Sequence, residues 1–136
     1  MSAQLFELIL AVKRTCQSNE YHIQKELGLS PAIFSALLVL QPDETINGNE
    51  LAERMALSPS RSSRVLFKLM EKKYVLSKFK PDDRRSVEIK LTASGKKIKS
   101  AIMKRMQECE KRICSNLNKS QISKIRESLE LLLEAF

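Results

Sequence analysis

The apolar period of this chain changes twice, and the change restricts the fold more than any single motif. Up to Tyr74 hydrophobic residues recur every three or four positions. After Tyr74 the spacing is two: Val75, Ser77 and Phe79 alternate with Leu76, Lys78 and Lys80, and Val87, Ile89 and Leu91 alternate with Ser86, Glu88 and Lys90. Successive strand side chains point to opposite faces, so this stretch predicts two strands around a turn containing Pro81, Asp82 and Asp83. Beyond Thr92 helical spacing resumes. A mainly α chain carrying one small β-hairpin satisfies both periods.

The flanking helices are legible from their caps. Leu5, Leu8, Ile9, Val12 and Cys16 mark an amphipathic helix from Gln4 to about Glu20. Ser30 as N-cap and Pro31 at the first helical position open a second helix that stops before Pro42; it is apolar nearly all round and belongs in the core. Asn47 with Glu50 three residues on reads as a capping box for a short helix through about Met55. Ala56-Leu57 then forms a tight turn, and Ser58-Pro59 restarts a helix with Val65, Leu66, Leu69 and Met70 inward. Thr92 caps a long helix with inner positions Ile98, Ile102, Met106, Cys109, Ile113 and Leu117. After Asn118 a last helix turns Ile122, Ile125, Leu129, Leu132 and Leu133 inward.

Two short helices joined by a few residues form a helix-turn-helix, and a hairpin directly after the second helix is the wing of a winged helix-turn-helix domain. In that arrangement the second helix enters the major groove of double-stranded DNA with its N-terminal turn against base edges. Here that turn reads Ser60, Arg61, Ser62, Ser63, Arg64: small hydroxyl residues that permit close approach, and guanidiniums able to grip guanine edges or phosphates. Lys68, Lys78 and Lys80 would neutralise phosphates. The chain carries a formal charge of +8, of which +7 lies between Lys68 and Lys99, where eleven basic residues face four acids. A charge run by itself is also what a solvated face looks like; its coincidence with helix-turn-helix and wing is what points to DNA. RNA fits less well, because no aromatic platform for stacking single strands is present.

The order of elements, the run from Glu50 to Val75 and above all 83-DRRSVEIKLTASG-95 resemble the MarR family of transcriptional regulators. The likeness covers essentially the whole chain, and its most specific part is Asp83, Arg85, Leu91, Thr92 and Gly95 at fixed spacing. It implies one domain over residues 1–136, with a winged helix-turn-helix part at 30–95 and dimerisation helices at 1–29 and 96–136. It implies a homodimer on a pseudo-palindromic operator, one recognition helix per major groove and one wing per minor groove, and a repressor released by a small phenolic or lipophilic effector whose binding residues the sequence does not identify. The wing residues are then Asp83, Arg84 and Arg85, with the Asp83 carboxylate two residues before Arg85 holding that guanidinium in one orientation. Two positions depart from the family. Tyr74 stands where glycine is usual, so the helix end must take a left-handed residue or terminate differently, and Ala56 stands where glycine is common in the turn.

Other classes are poorly served. Cys16, Cys109 and Cys114 lack metal or disulfide spacing, and His22 is the single histidine, so neither a metal site nor a cofactor is expected. No phosphate loop or nucleophile elbow suggests an enzyme. A redox-sensing regulator acting through Cys16, Cys109 or Cys114 is an alternative, although Phe6 occupies the aligned position of the reactive thiol in the peroxide-responsive branch of the family, and Cys109 falls on the core stripe as a packing thiol. Cys109 and Cys114 cannot bridge within one helix, where five residues rise about 7.5 Å. A second alternative is a winged module that binds another regulator. The opening 1-MSAQLFELILAVKR-14 has no basic leader or cleavage site and no apolar run has membrane length, which reads as a cytoplasmic protein.

Overall fold

Helix caps set the boundaries of most elements. In the computed structural model, residues 2–80 and 83–136 are described, the side chains of residues 79, 80 and 83–86 excepted. The order is α1 (Leu5–Leu27), α2 (Pro31–Val39), β1 (Thr45–Ile46), α3 (Gly48–Met55), α4 (Pro59–Glu71), β2 (Val75–Lys80), β3 (Asp83–Leu91), α5 (Ala93–Ser115) and α6 (Lys119–Ala135). Ser30 Oγ accepts the Ile33 amide at 3.3 Å, Asn47 Oδ1 accepts that of Glu50 at 2.8 Å, and Ser58 Oγ that of Arg61 at 3.3 Å. Each satisfies an amide that has no partner inside its own helix. The box expected at Asn47 works in one direction: the Glu50 carboxylate turns to Arg54, 3.8 Å away. Helix α1 runs past the expected end near Glu20 to Leu27, because Gly28 is the first residue that takes a left-handed conformation (φ 66°) and so closes it.

The sheet has three strands in the order β1-β3-β2, not the two of a lone hairpin. Residues Thr45 and Ile46 pair antiparallel with Lys90 and Ile89, which makes β3 central and buries Ile46 and Ile89 together. Two residues are too short to show a period, so β1 leaves no pattern to read. In the hairpin Val75, Leu76, Ser77 and Lys78 pair with Leu91, Lys90, Ile89 and Glu88, and the register then shifts before Lys80 pairs with Asp83. Asp83 therefore opens β3, and the Pro81-Asp82 turn lies outside the described residues.

The chain divides into two units, Met1–Ile102 and Met103–Phe136. The first holds the core, built from Ile33, Phe34 and Leu37 of α2, Leu51 of α3, Leu66 and Leu69 of α4, Ile89 and Leu91 of β3, and Ile102. Burying a large aliphatic or aromatic side chain is worth about 1.5–3 kcal/mol, so this cluster supplies the unit's cohesion. In the second unit none of residues 103–136 is buried. Met106, Ile113, Ile125, Leu129 and Leu133, all expected inside, stand exposed in the single chain, as do Leu5, Leu8 and Val12 of α1. Among the described residues no helix is long and apolar enough to cross a membrane.

Candidate nucleic-acid interface

The site is built on α4. Helix α3 ends at Ala56, whose φ of 54° puts it in the left-handed region, and Leu57 N donates back to the Ala52 carbonyl at 2.9 Å. This six-to-one closure redirects the chain within two residues and lets Ser58 cap α4 at once. Inside α4, Val65, Leu66 and Leu69 pack on the core. With 3.6 residues per turn, Ser60, Ser63, Arg64, Phe67 and Lys68 must then point away from it, and all five are exposed, as is Arg61.

Ser62 departs from the expected set. It is 3% exposed, one turn before Val65 and Leu66, and it packs inward instead of offering its hydroxyl to a partner. Its small volume lets the first turn of α4 sit close to the core. Phe67 is the residue the sequence reading passed over: it is 63% exposed on the outward face. The signal was present, since Phe67 lies seven residues after Ser60 and so on the same face.

Among the described residues no carboxylate pairs with Arg61, Arg64 or Lys68, whereas Arg54 pairs with Glu44 and Glu50, and Lys96 with Asp43. The exposed part of α4 therefore presents two guanidiniums and one ammonium to solvent, with the Glu71 carboxylate at its last turn. Lys78 is exposed on β2. The side chains of Lys80, Asp83, Arg84 and Arg85 lie outside the described residues, and with them the expected Asp83–Arg85 pair.

Not all of the basic run belongs to this surface. Lys99, counted in it, is only 6% exposed. Its Nζ donates to the carbonyls of Leu37 at 2.9 Å and Leu38 at 3.3 Å, and to that of Leu40. These are the last carbonyls of α2, at the negative end of its dipole, where a cation is favoured. Burial holds this ammonium below the usual lysine range, with the Glu44 carboxylate acting in the opposite sense. Lys96 is likewise engaged, 3.1 Å from Asp43.

The segment Leu91-Thr92-Ala93-Ser94-Gly95 runs from the end of β3 into the first turn of α5 and is hydrogen-bonded to the end of α4. The left-handed residue at the end of α4 is Lys73 (φ 61°), one position before the Tyr74 that replaces the usual glycine. Tyr74 N donates to Leu69 O at 3.0 Å, which closes the helix. Thr92 Oγ1 donates to the Lys73 carbonyl at 2.7 Å and accepts the Gly95 amide at 3.0 Å, while Thr92 N donates to Tyr74 O at 3.0 Å. One threonine thus caps α5 and binds it to the end of α4.

The cysteines do not behave as core packing. Cys16 is exposed and Cys109 and Cys114 are half-buried, because the stripe that carries Cys109 is uncovered in the single chain. Arg112 Nη2 donates to Cys109 Sγ at 3.1 Å. No group of three or more His, Cys, Asp or Glu among the described residues is placed to hold a metal ion.

No family model matches the chain. Individual proteins do. It is 33% identical over 78 residues to the HTH-type transcriptional regulator SarZ of Staphylococcus epidermidis, covering 57% of this chain and only about half, 53%, of that protein. To SarZ of Staphylococcus aureus it is 30% identical over 102 residues, covering 75% of this chain and 69% of that one. A crystal structure of a MarR transcriptional regulator from Methanosarcina mazei superposes with a TM-score of 0.79 at 25% identity, over 96% of this chain and 94% of the other. A sequence relative that shares 30% identity over three quarters of the chain and a solved fold that matches nearly its whole length together place it: the chain belongs to the MarR family of winged helix-turn-helix transcriptional regulators.

Proposed function

We propose that the protein is a homodimeric, sequence-specific regulator of transcription that binds a pseudo-palindromic stretch of double-stranded DNA. The observation that carries this reading is the outward face of α4, where Ser60, Arg61, Ser63, Arg64 and Lys68 are all exposed and the three cations have no carboxylate partner among the described residues. In this reading the first turn of α4 lies against base edges, with Arg61 and Arg64 directed to guanine or phosphate and Lys68 and Lys78 neutralising the backbone. Lys80 would join Lys68 and Lys78 on phosphates, and the wing arginine Arg85, paired with Asp83, would enter the flanking minor groove.

Burial supports the second copy. A unit with no buried residue cannot repay the entropy of ordering its chain, and Met106, Ile113, Ile125 and Leu129 offer the apolar area that a partner would cover. A two-fold dimer carries two α4 helices and so reads half-sites about 10–10.5 base pairs apart, centre to centre. The family likeness extends the proposal to repression relieved by a small phenolic or lipophilic ligand that alters the separation of the two α4 helices.

Selection from a random duplex library by the purified full-length chain, followed by sequencing, tests the reading. It predicts an enriched inverted repeat whose affinity falls steeply with salt as phosphate-bound counterions are released. Enrichment of nothing, together with capture of another regulator by the same protein, would make the winged part a protein-binding module instead.

A further inference from the structure

We infer that Phe67 reads the methyl group of a thymine in each half-site, a role that rests on the DNA-binding reading above. Isolated exposed apolar residues are common and mean little alone. Phe67 differs in its neighbours. At 63% exposure it is the one large apolar side chain on an outward face otherwise made of Ser60, Ser63, Arg64, Lys68 and Glu71. It stands one turn beyond Ser63 and Arg64 and two turns beyond Ser60. Seven residues of helix rise about 10.5 Å, close to three base-pair steps. A helix laid along the major groove with Ser60 against one base edge therefore brings Phe67 over a base about three steps away.

The chemistry then narrows the target. A phenyl ring offers no hydrogen bond, and the apolar feature on the base edges of the major groove is the C5 methyl of thymine. The polar members of the face cannot substitute for it. DNA brings negative charge to Arg64 and Lys68, the two cations that flank Phe67. Phe67 also borders a cleft of about 510 Å³ whose lining includes Pro59, Leu66, Met70 and Val87 beside Ser62 and Ser63.

The test uses the duplex enriched by the full-length protein. Each thymine is replaced in turn by deoxyuridine, which deletes the C5 methyl and nothing else, and the wild type is compared with Phe67→Ala and Phe67→Leu in a protein-by-base cycle. At one position per half-site uracil is expected to weaken wild-type binding about fourfold, the value of one methyl removed from water. At that position Phe67→Ala should bind thymine and uracil duplexes equally, and Phe67→Leu should keep part of the preference. Exposure of Phe67 means that both variants should fold as the wild type does, which circular dichroism checks. The inference is overturned if the duplex is bound and no thymine methyl is sensed through Phe67, or if Phe67→Ala loses binding of a small aromatic ligand while reading every base as before. Failure to enrich any duplex would instead overturn the DNA-binding reading and the role of Phe67 together.

Discussion

The carbonyl oxygen of Tyr74 lies 2.0 Å from where a Cβ on Gly95 would stand. The first turn of α5 is thus pressed against the backbone that ends α4, and only a residue without a side chain permits the approach. Gly95→Ala sets two effects against each other. Alanine in a helix is worth about 1 kcal/mol over glycine. The clash with a backbone carbonyl held by the Thr92 amide has no flexible side chain to relieve it and should cost about 3 kcal/mol. The variant is expected to be less stable by urea denaturation; equal or greater stability would mean that α5 can shift freely at this junction.

Ala56 holds a left-handed conformation at the turn between α3 and α4, where a Cβ is unfavourable by about 1–2 kcal/mol. Ala56→Gly removes that strain but gives the unfolded chain about 0.4–1 kcal/mol of extra entropy to lose. The net expectation is a gain of about 0.5–1 kcal/mol in urea denaturation with the fold unchanged. At Lys73, also left-handed, the same exchange should yield less, because it also removes a cation beside the last carbonyls of α4.

Lys99→Met keeps the length and apolar stem of the side chain and deletes its donors. Three carbonyls at the end of α2 would then be buried without their cation. A loss of about 2 kcal/mol is expected, the usual worth of hydrogen bonds to a charged group. If the variant matched the wild type in a denaturation curve, the lysine would be a passenger at this position.

Glu44 and Arg54 form a two-pronged pair, Arg54 Nη1 meeting Glu44 Oε2 at 2.8 Å, and the same nitrogen donates to the Val39 carbonyl at 3.0 Å. The Arg54 guanidinium holds the Glu44 carboxyl below the usual 4.5, against a smaller opposing effect of burial. A carboxyl whose folded value is depressed contributes stability above its unfolded value and loses it as pH falls through its folded value, because the unfolded chain then takes up the proton first. Glu44→Gln should therefore melt below the wild type at pH 7, and the gap should close as the pH drops beneath 4.5. A gap independent of pH would assign the effect to packing.

Ile113 and Leu129 are 58% and 49% exposed in the single chain, so a charge at either costs the chain's own core nothing. If they lie in a dimer layer, Ile113→Glu or Leu129→Glu should halve the mass seen in sedimentation equilibrium to that of one 15.5 kDa chain, with helicity kept. A wild type that sediments as a monomer would remove the two-copy reading.

Sequence alone determined what repeats or caps locally. Ser30, Asn47, Ser58, Thr92 and Asn118 each satisfy amides within four residues, and the switch from period 3.6 to 2 requires only neighbouring positions, so α2, α3, α4 and the hairpin were legible. What depended on groups far apart in the chain was decided only in three dimensions. Strand β1 exists because Ile89 offers it an edge some forty residues away. Lys99 looked like one more surface cation until the end of α2 was placed over it, and Ser62 looked like a reading residue until the core was packed beneath it. Gly95 stood in the sequence as a motif letter; the oxygen of Tyr74, close in space and twenty-one positions earlier, is the reason for it. Short-range hydrogen bonds are written in adjacent letters, whereas burial and long-range contact are properties of the folded surface, and those decide which of the basic and polar residues remain free to meet a partner.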